Sequence, residues 1–127
     1  MSSQEKKALT KLELQIMQVI WRLGASNVTD VQEALEQPLA YTTVQTMLNI
    51  LHRKGKLKRE MKGRAFVYKA AVTETRALRE AVSDLVDRMF GGSSEELVMS
   101  LIKSRQIDPE RIAELTKELD KGTEGDR

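Results

Sequence analysis

The clearest hydrophobic pattern in the chain is an apolar stripe at helical spacing between residues 41 and 53. Its members lie at positions i, i+3, i+4 and i+7: Val44, Met47, Leu48 and Leu51. The opposite face of the same predicted helix carries Thr42, Gln45, Thr46, Asn49 and Arg53. Because this face is polar but uncharged until its basic end, it is typical of a helix that reads base edges in a DNA major groove.

A basic two-stranded hairpin is predicted directly after this helix. Gly55 ends the helix, and two short runs of alternating apolar and polar residues follow on either side of Lys62-Gly63-Arg64. Residues 53–69 contain eight Lys or Arg and a single acid, Glu60, so the segment carries a formal charge of +7. A polyanion is the natural partner of such a segment, and we expect the tip to face the sugar-phosphate backbone or the minor groove.

Two further helices are predicted ahead of this region. The first begins with the capping box Thr10–Glu13 and ends before Gly24, and the second begins at Asn27 or Thr29 and continues to about Glu36. Three helices followed by a basic hairpin predict a winged helix-turn-helix domain over residues 10–71. Residues 1–9 are predicted to form a disordered tail.

The C-terminal part of the chain changes to purely helical patterns. They predict a long helix over 73–90, a second helix after Gly91-Gly92, and a last helix that begins near Pro109 and ends before Gly122. About fifty residues bury little apolar surface alone, so we expect residues 72–122 to form a helical dimerisation region, with a frayed tail at 123–127. The alternative is that these helices fold back on the first domain. The predicted dimerisation residues are Leu78, Val82, Leu85, Val86, Met89, Leu97, Leu101, Ile112, Leu115 and Leu119.

The fold class is therefore mainly α with a small β hairpin. The composition argues against several classes of function. The 127 residues include no cysteine and one histidine, which argues against disulfides and a zinc centre. No motif pairs a nucleophile with a base, so we expect neither an enzyme nor a cofactor. Neither a membrane-spanning run nor a secretory signal is recognisable, so we expect a cytoplasmic protein. Residues 1–70 carry a net charge of +6 and residues 71–127 a net charge of −4, which suggests one part for nucleic acid and one for protein.

The candidate DNA contacts divide into two sets. Base contacts are predicted for Thr42, Thr43, Gln45, Thr46 and Asn49, because Thr can contact a thymine methyl and Gln or Asn can pair with adenine. Contacts with the backbone or the minor groove are predicted for Tyr41, Arg53, Lys54, Lys62 and Arg64. For each cation the alternative is a solvated surface charge, and Tyr41 could instead pack against the core. Trp21, Phe66 and Tyr68 are interpreted as packing residues.

Several segments together resemble the penicillinase repressor family, which includes the BlaI- and MecI-type regulators of beta-lactamase and methicillin-resistance genes. The resemblance covers roughly residues 10–120. It depends on Leu12-Glu13, Val19-Ile20-Trp21, Tyr41-Thr42-Thr43-Val44 with Leu48 and Leu51, Gly63 to Tyr68, Phe90-Gly91-Gly92 and Glu96-Leu97-Val98. It implies a homodimeric repressor that binds an inverted-repeat operator in double-stranded DNA, controlling a beta-lactamase-type or stress-response gene.

The resemblance also implies a mode of release. In the best-known members a membrane sensor triggers proteolysis at a bond that is usually Asn-Phe, and this bond aligns with Ser100-Leu101 here. Ser100 and Leu101 are therefore a candidate proteolytic site that departs from the usual residues. Copper-responsive relatives use a cysteine-rich tail, which this chain does not have. The alternative function is a winged helix that docks on another protein without sequence-specific DNA binding.

Overall fold

The computed structural model describes the backbone of residues 9–125 and the side chains of residues 9–122. It confirms a mainly helical chain with a small antiparallel hairpin. The elements in chain order are α1 (Lys11–Leu23), α2 (Val28–Ala34), α3 (Tyr41–Arg53), β1 (Leu57–Lys62), β2 (Ala65–Ala70), α4 (Glu74–Met89), α5 (Ser94–Lys103) and α6 (Pro109–Gly125). Across the described residues, no helix is long and apolar enough to cross a bilayer.

Helix α1 begins and ends as its sequence predicts. The Thr10 hydroxyl accepts from the Glu13 amide at 3.1 Å, and the Glu13 carboxylate accepts from the Thr10 amide at 2.8 Å, so the predicted capping box is present. At the other end Gly24 has φ +85°. The buried residues of α1 include Met17, which is fully buried, whereas Leu23 at the C-terminal end of the helix is 50% exposed.

Helix α2 and the turn after it set the position of α3. Asn27 caps α2 by accepting from the Asp30 amide at 2.8 Å. The side chain of Gln32 then donates to the Leu39 carbonyl at 2.9 Å, and Leu39 packs against the core. This hydrogen bond ties α2 to the residues immediately before α3, so the two helices are held in a helix-turn-helix arrangement.

The core lies between α1, α2, α3 and the base of the hairpin. The predicted stripe of α3 supplies three fully buried residues, Val44, Leu48 and Leu51, while Met47 is half-buried. The remaining buried hydrophobic residues of this core are Ile16, Met17, Val19, Ile20, Val28, Val31, Leu57 and Tyr68. Burying one side of each amphipathic helix in this way leaves the other side of α3 for contacts outside the domain.

The hairpin is joined by a two-residue turn at the predicted place. Lys62 pairs with Ala65, and Gly63 between them has φ +65°, which the first central residue of a type II′ turn requires. A second contact fixes the base of the hairpin: the Ser26 and Tyr68 backbones exchange two hydrogen bonds of 2.8 Å. The Tyr68 ring is buried, which confirms its interpretation as a packing residue.

The segment after the hairpin returns to the same domain. Trp21 packs at the edge of the core and donates its indole N–H to the Val72 carbonyl at 3.0 Å, as expected for a packing residue. In α4, Glu80 forms an ion pair with Lys56 at 3.3 Å. The first half of α4 therefore belongs with the winged domain, and the chain divides into two compact units between Asp84 and Leu85, later than the predicted boundary after residue 71.

The second unit contains the end of α4 with α5 and α6. Ser93 caps α5 by accepting from the Glu96 amide at 3.2 Å, and Pro109 is the first residue of α6, as predicted. The predicted end of α6 before Gly122 is wrong, since the helix continues to Gly125. A glycine can adopt helical dihedral angles at a cost of about 1 kcal/mol, so its presence alone does not end a helix. Residues 1–8 of the predicted N-terminal tail and residues 126–127 of the predicted C-terminal tail lie outside the described residues, whereas Leu9 packs against the core.

Candidate nucleic-acid interface

The outward face of α3 is an exposed surface without charge over its first two turns. Thr42, Thr43, Gln45 and Thr46 are all exposed, as the base-contact prediction requires. Tyr41 is the first residue of α3 and is 43% exposed, so the structure favours a surface role for it over packing in the core. Side chains of this length and polarity can reach the edges and methyl groups of bases.

The N-terminus of α3 differs from those of α1, α2 and α5. Side chains cap α1, α2 and α5, but Ala40 precedes α3 and provides no side-chain cap. The first turn of α3 also contains no acid, whereas His52 and Arg53 occupy its last turn. Uncapped amides at a helix N-terminus can donate to phosphate oxygens, so this end of the helix suits the DNA backbone.

Fewer basic residues of the hairpin region are exposed than the sequence contains. Of the eight basic residues between 53 and 69, five are exposed: Arg53, Lys58, Lys62, Arg64 and Lys69. Lys62 and Arg64 flank the turn as predicted, and Lys62 lies 3.7 Å from Glu60 in a pair that is open to solvent. Such exposed pairs are weak, so both tip cations remain available to an anion.

Lys58 and Lys69 are candidate backbone contacts that the sequence prediction missed. They are directly opposite each other in the hairpin register and both are exposed. Like charges placed directly across a strand pair repel each other, and a bound phosphate would relieve that repulsion. The turn at residues 63–64 was the signal that could have found this pair, because it fixes every cross-strand partner.

The structure gives Lys54 another role than the predicted phosphate contact. Its ammonium donates to both carboxylate oxygens of Glu13, at 2.8 and 3.0 Å, and the Glu13 side chain is only 2% exposed. Burial by itself raises the pKa of Glu13, but hydrogen bonds from Lys54 and Thr10, with the charge of Lys54, outweigh it and lower the pKa. Lys54 therefore joins the end of α3 to the start of α1.

Lys56 is likewise held inside the domain. Its side chain is 8% exposed, and its ammonium donates to Glu80 of α4. Desolvation by itself raises the pKa of Glu80, but the hydrogen bonds from Lys56 and Arg76 and their charges outweigh it and lower the pKa. The ammonium groups of Lys54 and Lys56 thus stabilise the fold rather than add to the exposed positive surface.

Asn49 is also placed differently from the other predicted base contacts. It is half-buried, and its Oδ1 accepts from the Tyr68 hydroxyl at 3.0 Å and from Arg59 Nη1 at 2.9 Å. The Arg59 guanidinium lies 4.1 Å from the centre of the Phe66 ring. The structure therefore brings Asn49 to the hairpin, whereas the other predicted base contacts remain on the open face of α3.

The predicted dimerisation residues are mostly exposed in the single chain. On α4, Leu78 is 63% exposed and Met89 is 71% exposed, and Val82 and Leu85 are exposed as well. Val86 departs from this set because it is buried within the chain. On α5 and α6, Leu97, Leu101, Ile112 and Leu115 are half-buried, whereas Leu119 is 71% exposed.

The candidate proteolytic bond lies inside a helix. Ser100 is exposed and Leu101 is half-buried, both within α5. The carbonyls of the two residues accept from the amides of Ser104 and Gln106, each at 3.0 Å.

No group of His, Asp or Glu side chains that could hold a metal ion occurs in the described part of the chain.

Comparisons with known proteins agree on one family. A family model described as penicillinase repressor matches residues 9–121. The penicillinase repressor of Bacillus licheniformis is 29% identical over 109 residues, which cover 84% of this chain and 85% of that protein. The methicillin resistance regulatory protein MecI of Staphylococcus aureus (strain N315) is 20% identical over 115 residues, which cover 89% of this chain and 94% of that protein.

A solved structure is also similar over part of the chain. It is the solution structure of the monomeric form of BlaI from Bacillus licheniformis in complex with the blaP half-operator. The sequence identity is 34%, the match covers 54% of this chain and 85% of that chain, and the TM-score is 0.47.

Proposed function

The chain belongs to the penicillinase repressor family, and we propose that it is a DNA-binding transcriptional repressor that acts as a homodimer. The single observation that carries the proposal is the open, uncharged face of α3 beside a hairpin with exposed cations. Helix α3 would lie in the major groove, and the hairpin would contact the backbone or the adjacent minor groove.

The side chains of α3 support a division of labour along the helix. Thr42, Thr43, Gln45 and Thr46 would contact base edges, since they combine methyl groups with hydrogen-bonding groups and carry no charge. Arg53 at the end of the helix would contact phosphate. Tyr41 at its start would donate its hydroxyl to the phosphate backbone.

The exposed hydrophobic residues of the C-terminal helices support the homodimer. Among the described residues from 85 onward, Val86 is the one buried hydrophobic side chain, and it is still 6% exposed. A unit with so small a core is marginal alone, and exposed apolar faces of this extent mark interaction surfaces. We propose that a second copy covers Leu78, Val82, Leu85 and Met89 along α4, with Leu119 on α6.

A symmetric dimer determines the kind of operator. Two α3 helices related by a two-fold axis would read an inverted repeat whose half-sites are about one helical turn, or a multiple of it, apart. We propose that the repressor acts in the cytoplasm. The relative in Bacillus licheniformis is a penicillinase repressor by name, and we propose a beta-lactamase-type or stress-response gene as the target here.

We propose that a membrane sensor or protease causes the release of the repressor from DNA. Cleavage between Ser100 and Leu101 would require α5 to unfold locally, because both carbonyls are hydrogen-bonded within the chain. The sensor would therefore have to act on a transiently opened helix. Incubation of the purified repressor with the candidate protease and mass analysis of the fragments would identify the bond.

The salt dependence of binding to duplex DNA tests the proposal. Each neutralised phosphate contributes a slope of about −0.9 to a plot of log affinity against log salt. The pair Lys62→Gln and Arg64→Gln should make this slope less steep by about 1.8. The matched control, Lys117→Gln with Lys121→Gln, removes the same charge from exposed residues of α6 and should leave the slope unchanged.

Two results would count against the proposal. Equal slope changes in both variants would mean that binding follows net charge and not the hairpin. Elution of the native protein from heparin at low salt would instead favour the hairpin as a surface that docks on another protein.

A further inference from the structure

The contact between α3 and the hairpin gives Asn49 a function other than base reading. Its carbonyl oxygen has two lone pairs, and two donors occupy them: the Tyr68 hydroxyl and Arg59 Nη1. Bidentate recognition of adenine needs that same oxygen to accept from the base. Asn49 could therefore read adenine only after giving up contacts within the protein.

The loss of these contacts would be unfavourable. The side chain of Tyr68 is among the largest fully buried ones, and Asn49 is the partner of its hydroxyl. A buried hydroxyl without an acceptor carries the full cost of its desolvation. Asn49 is therefore held in the protein-facing rotamer, in contrast to the exposed Thr46 one turn earlier on α3.

The same atom joins α3 to both strands of the hairpin. Arg59 belongs to β1 and Tyr68 to β2, and the two residues are direct partners in the register. The guanidinium of Arg59 also lies over the Phe66 ring, whose centroid is 6.3 Å from that of Tyr68, so Phe66 packs beside both donor side chains. Displacing Asn49 would remove the side-chain hydrogen bonds that join α3 to both strands, and the hairpin would then be held at its base by the Ser26–Tyr68 backbone bonds and the core.

We propose that Asn49 is a positioning residue that fixes the hairpin at one distance and angle from α3. This inference depends on the proposed function, because the consequence of that geometry is the register between the bases that α3 reads and the flanking DNA that the hairpin contacts. Asn49 thereby contributes to binding through the position of the hairpin and not through contact with a base.

Hydrogen exchange in the free protein tests the positioning directly. Asn49→Ala should increase the exchange of the β1 and β2 amides, and Tyr68→Phe should do so to a smaller extent because it removes one of the two donors. The matched control Thr46→Ala, on the open face of the same helix, should leave hairpin exchange unchanged. Asn49→Asp keeps an acceptor at the same place and should restore the protection. Unchanged hairpin exchange in Asn49→Ala would overturn the inference.

A double-mutant cycle on duplex DNA tests the consequence for binding. In the native background Arg64→Ala should weaken binding severalfold, whereas in the Asn49→Ala background the hairpin tip is already less well positioned on the DNA. The loss of affinity in the double mutant should then be smaller, by about threefold or more, than the product of the losses in the two single mutants. The losses of affinity caused by Thr46→Ala and Arg64→Ala should multiply in their double mutant. Asn49→Ala should leave the preferred bases unchanged.

The outcomes separate this inference from the proposed function. If the native protein fails to bind duplex DNA but Asn49→Ala loosens the hairpin, the proposed function is wrong and the positioning contact stands. If the native protein binds DNA, and Asn49→Ala changes the preferred base at one position while its effect multiplies with that of Arg64→Ala, then Asn49 reads a base and the inference is wrong.

Discussion

Replacing Lys54 by methionine should destabilise the winged domain while leaving its affinity for DNA almost unchanged. Methionine preserves the apolar stem of lysine but leaves the Glu13 carboxylate, 2% exposed, without its cation. Removing one partner of a buried ion pair costs about 3 to 5 kcal/mol. Because Lys54 itself is 21% exposed and water can reach the pair, we expect a smaller loss, about 2 to 3 kcal/mol.

A loss of that size is easily measured. For a domain of this size it corresponds to a fall in melting temperature of roughly 10 to 20 °C. Thermal or urea unfolding would give the free energy of unfolding, and DNA affinity would be measured well below the transition. Glu13→Gln combined with Lys54→Met should be more stable than Lys54→Met alone, since no unpaired charge remains buried.

The adjacent Arg53 provides the matched control for DNA binding. It is exposed at the end of α3, and Arg53→Met should change stability by less than about 0.5 kcal/mol. It should instead weaken binding and make the salt slope less steep by about 0.9. If Lys54→Met were as stable as the native protein and lost a phosphate contact like Arg53→Met, the structural role of Lys54 would be refuted.

The Glu13 carboxyl also predicts a dependence of stability on pH. Because its pKa is lowered in the folded state, its contribution is fully present above the ordinary pKa of glutamate, about 4.3, and is lost as pH falls through the lowered value. Glu13→Gln should remove this part of the acid sensitivity. Urea unfolding at pH 7 and at acid pH checks the prediction, and an unchanged acid dependence in Glu13→Gln would contradict it.

The remaining predictions concern the hairpin and the dimer. Lys58→Gln and Lys69→Gln should each make the salt slope of DNA binding less steep by about 0.9, and no change in slope would place both residues away from phosphate. Gly63→Ala should cost about 1 kcal/mol in urea unfolding because alanine disfavours φ +65° there, and an equally stable variant would contradict that reason. Leu78→Glu should convert a dimer to a monomer in sedimentation, whereas the exposed Ser83→Glu on the same helix should not; a dimer that survives Leu78→Glu would place the interface elsewhere.

Local signals in the sequence predict the elements of this fold well. The stripe of α3, the caps Thr10 and Asn27 and the turn at Gly63 each depend on residues within a few positions of one another, so periodicity and turn chemistry are sufficient to find them. The same signals also predicted that the outward face of α3 is exposed from Thr42 to Thr46.

The sequence does not reveal contacts between residues far apart along the chain. Lys54 meets Glu13 from 41 residues away, and Asn49 meets Tyr68 from 19 residues away. A count of charges over residues 53–69 cannot distinguish a cation paired inside the domain from one on its surface, because that difference depends on the tertiary packing. The exposed cationic surface is therefore smaller than the sequence indicates, and it is concentrated on the hairpin and the end of α3.

Selection of binding sites from a random duplex library, with purified full-length protein at near-physiological salt, tests the central claim most directly. Two α3 helices in a symmetric dimer predict that the sequenced pool contains an inverted repeat with half-sites about one helical turn, or a multiple of it, apart. Thr46→Ala should relax one position in each half-site and leave the spacing unchanged. A pool without a motif, obtained from a folded protein, would contradict sequence reading by α3.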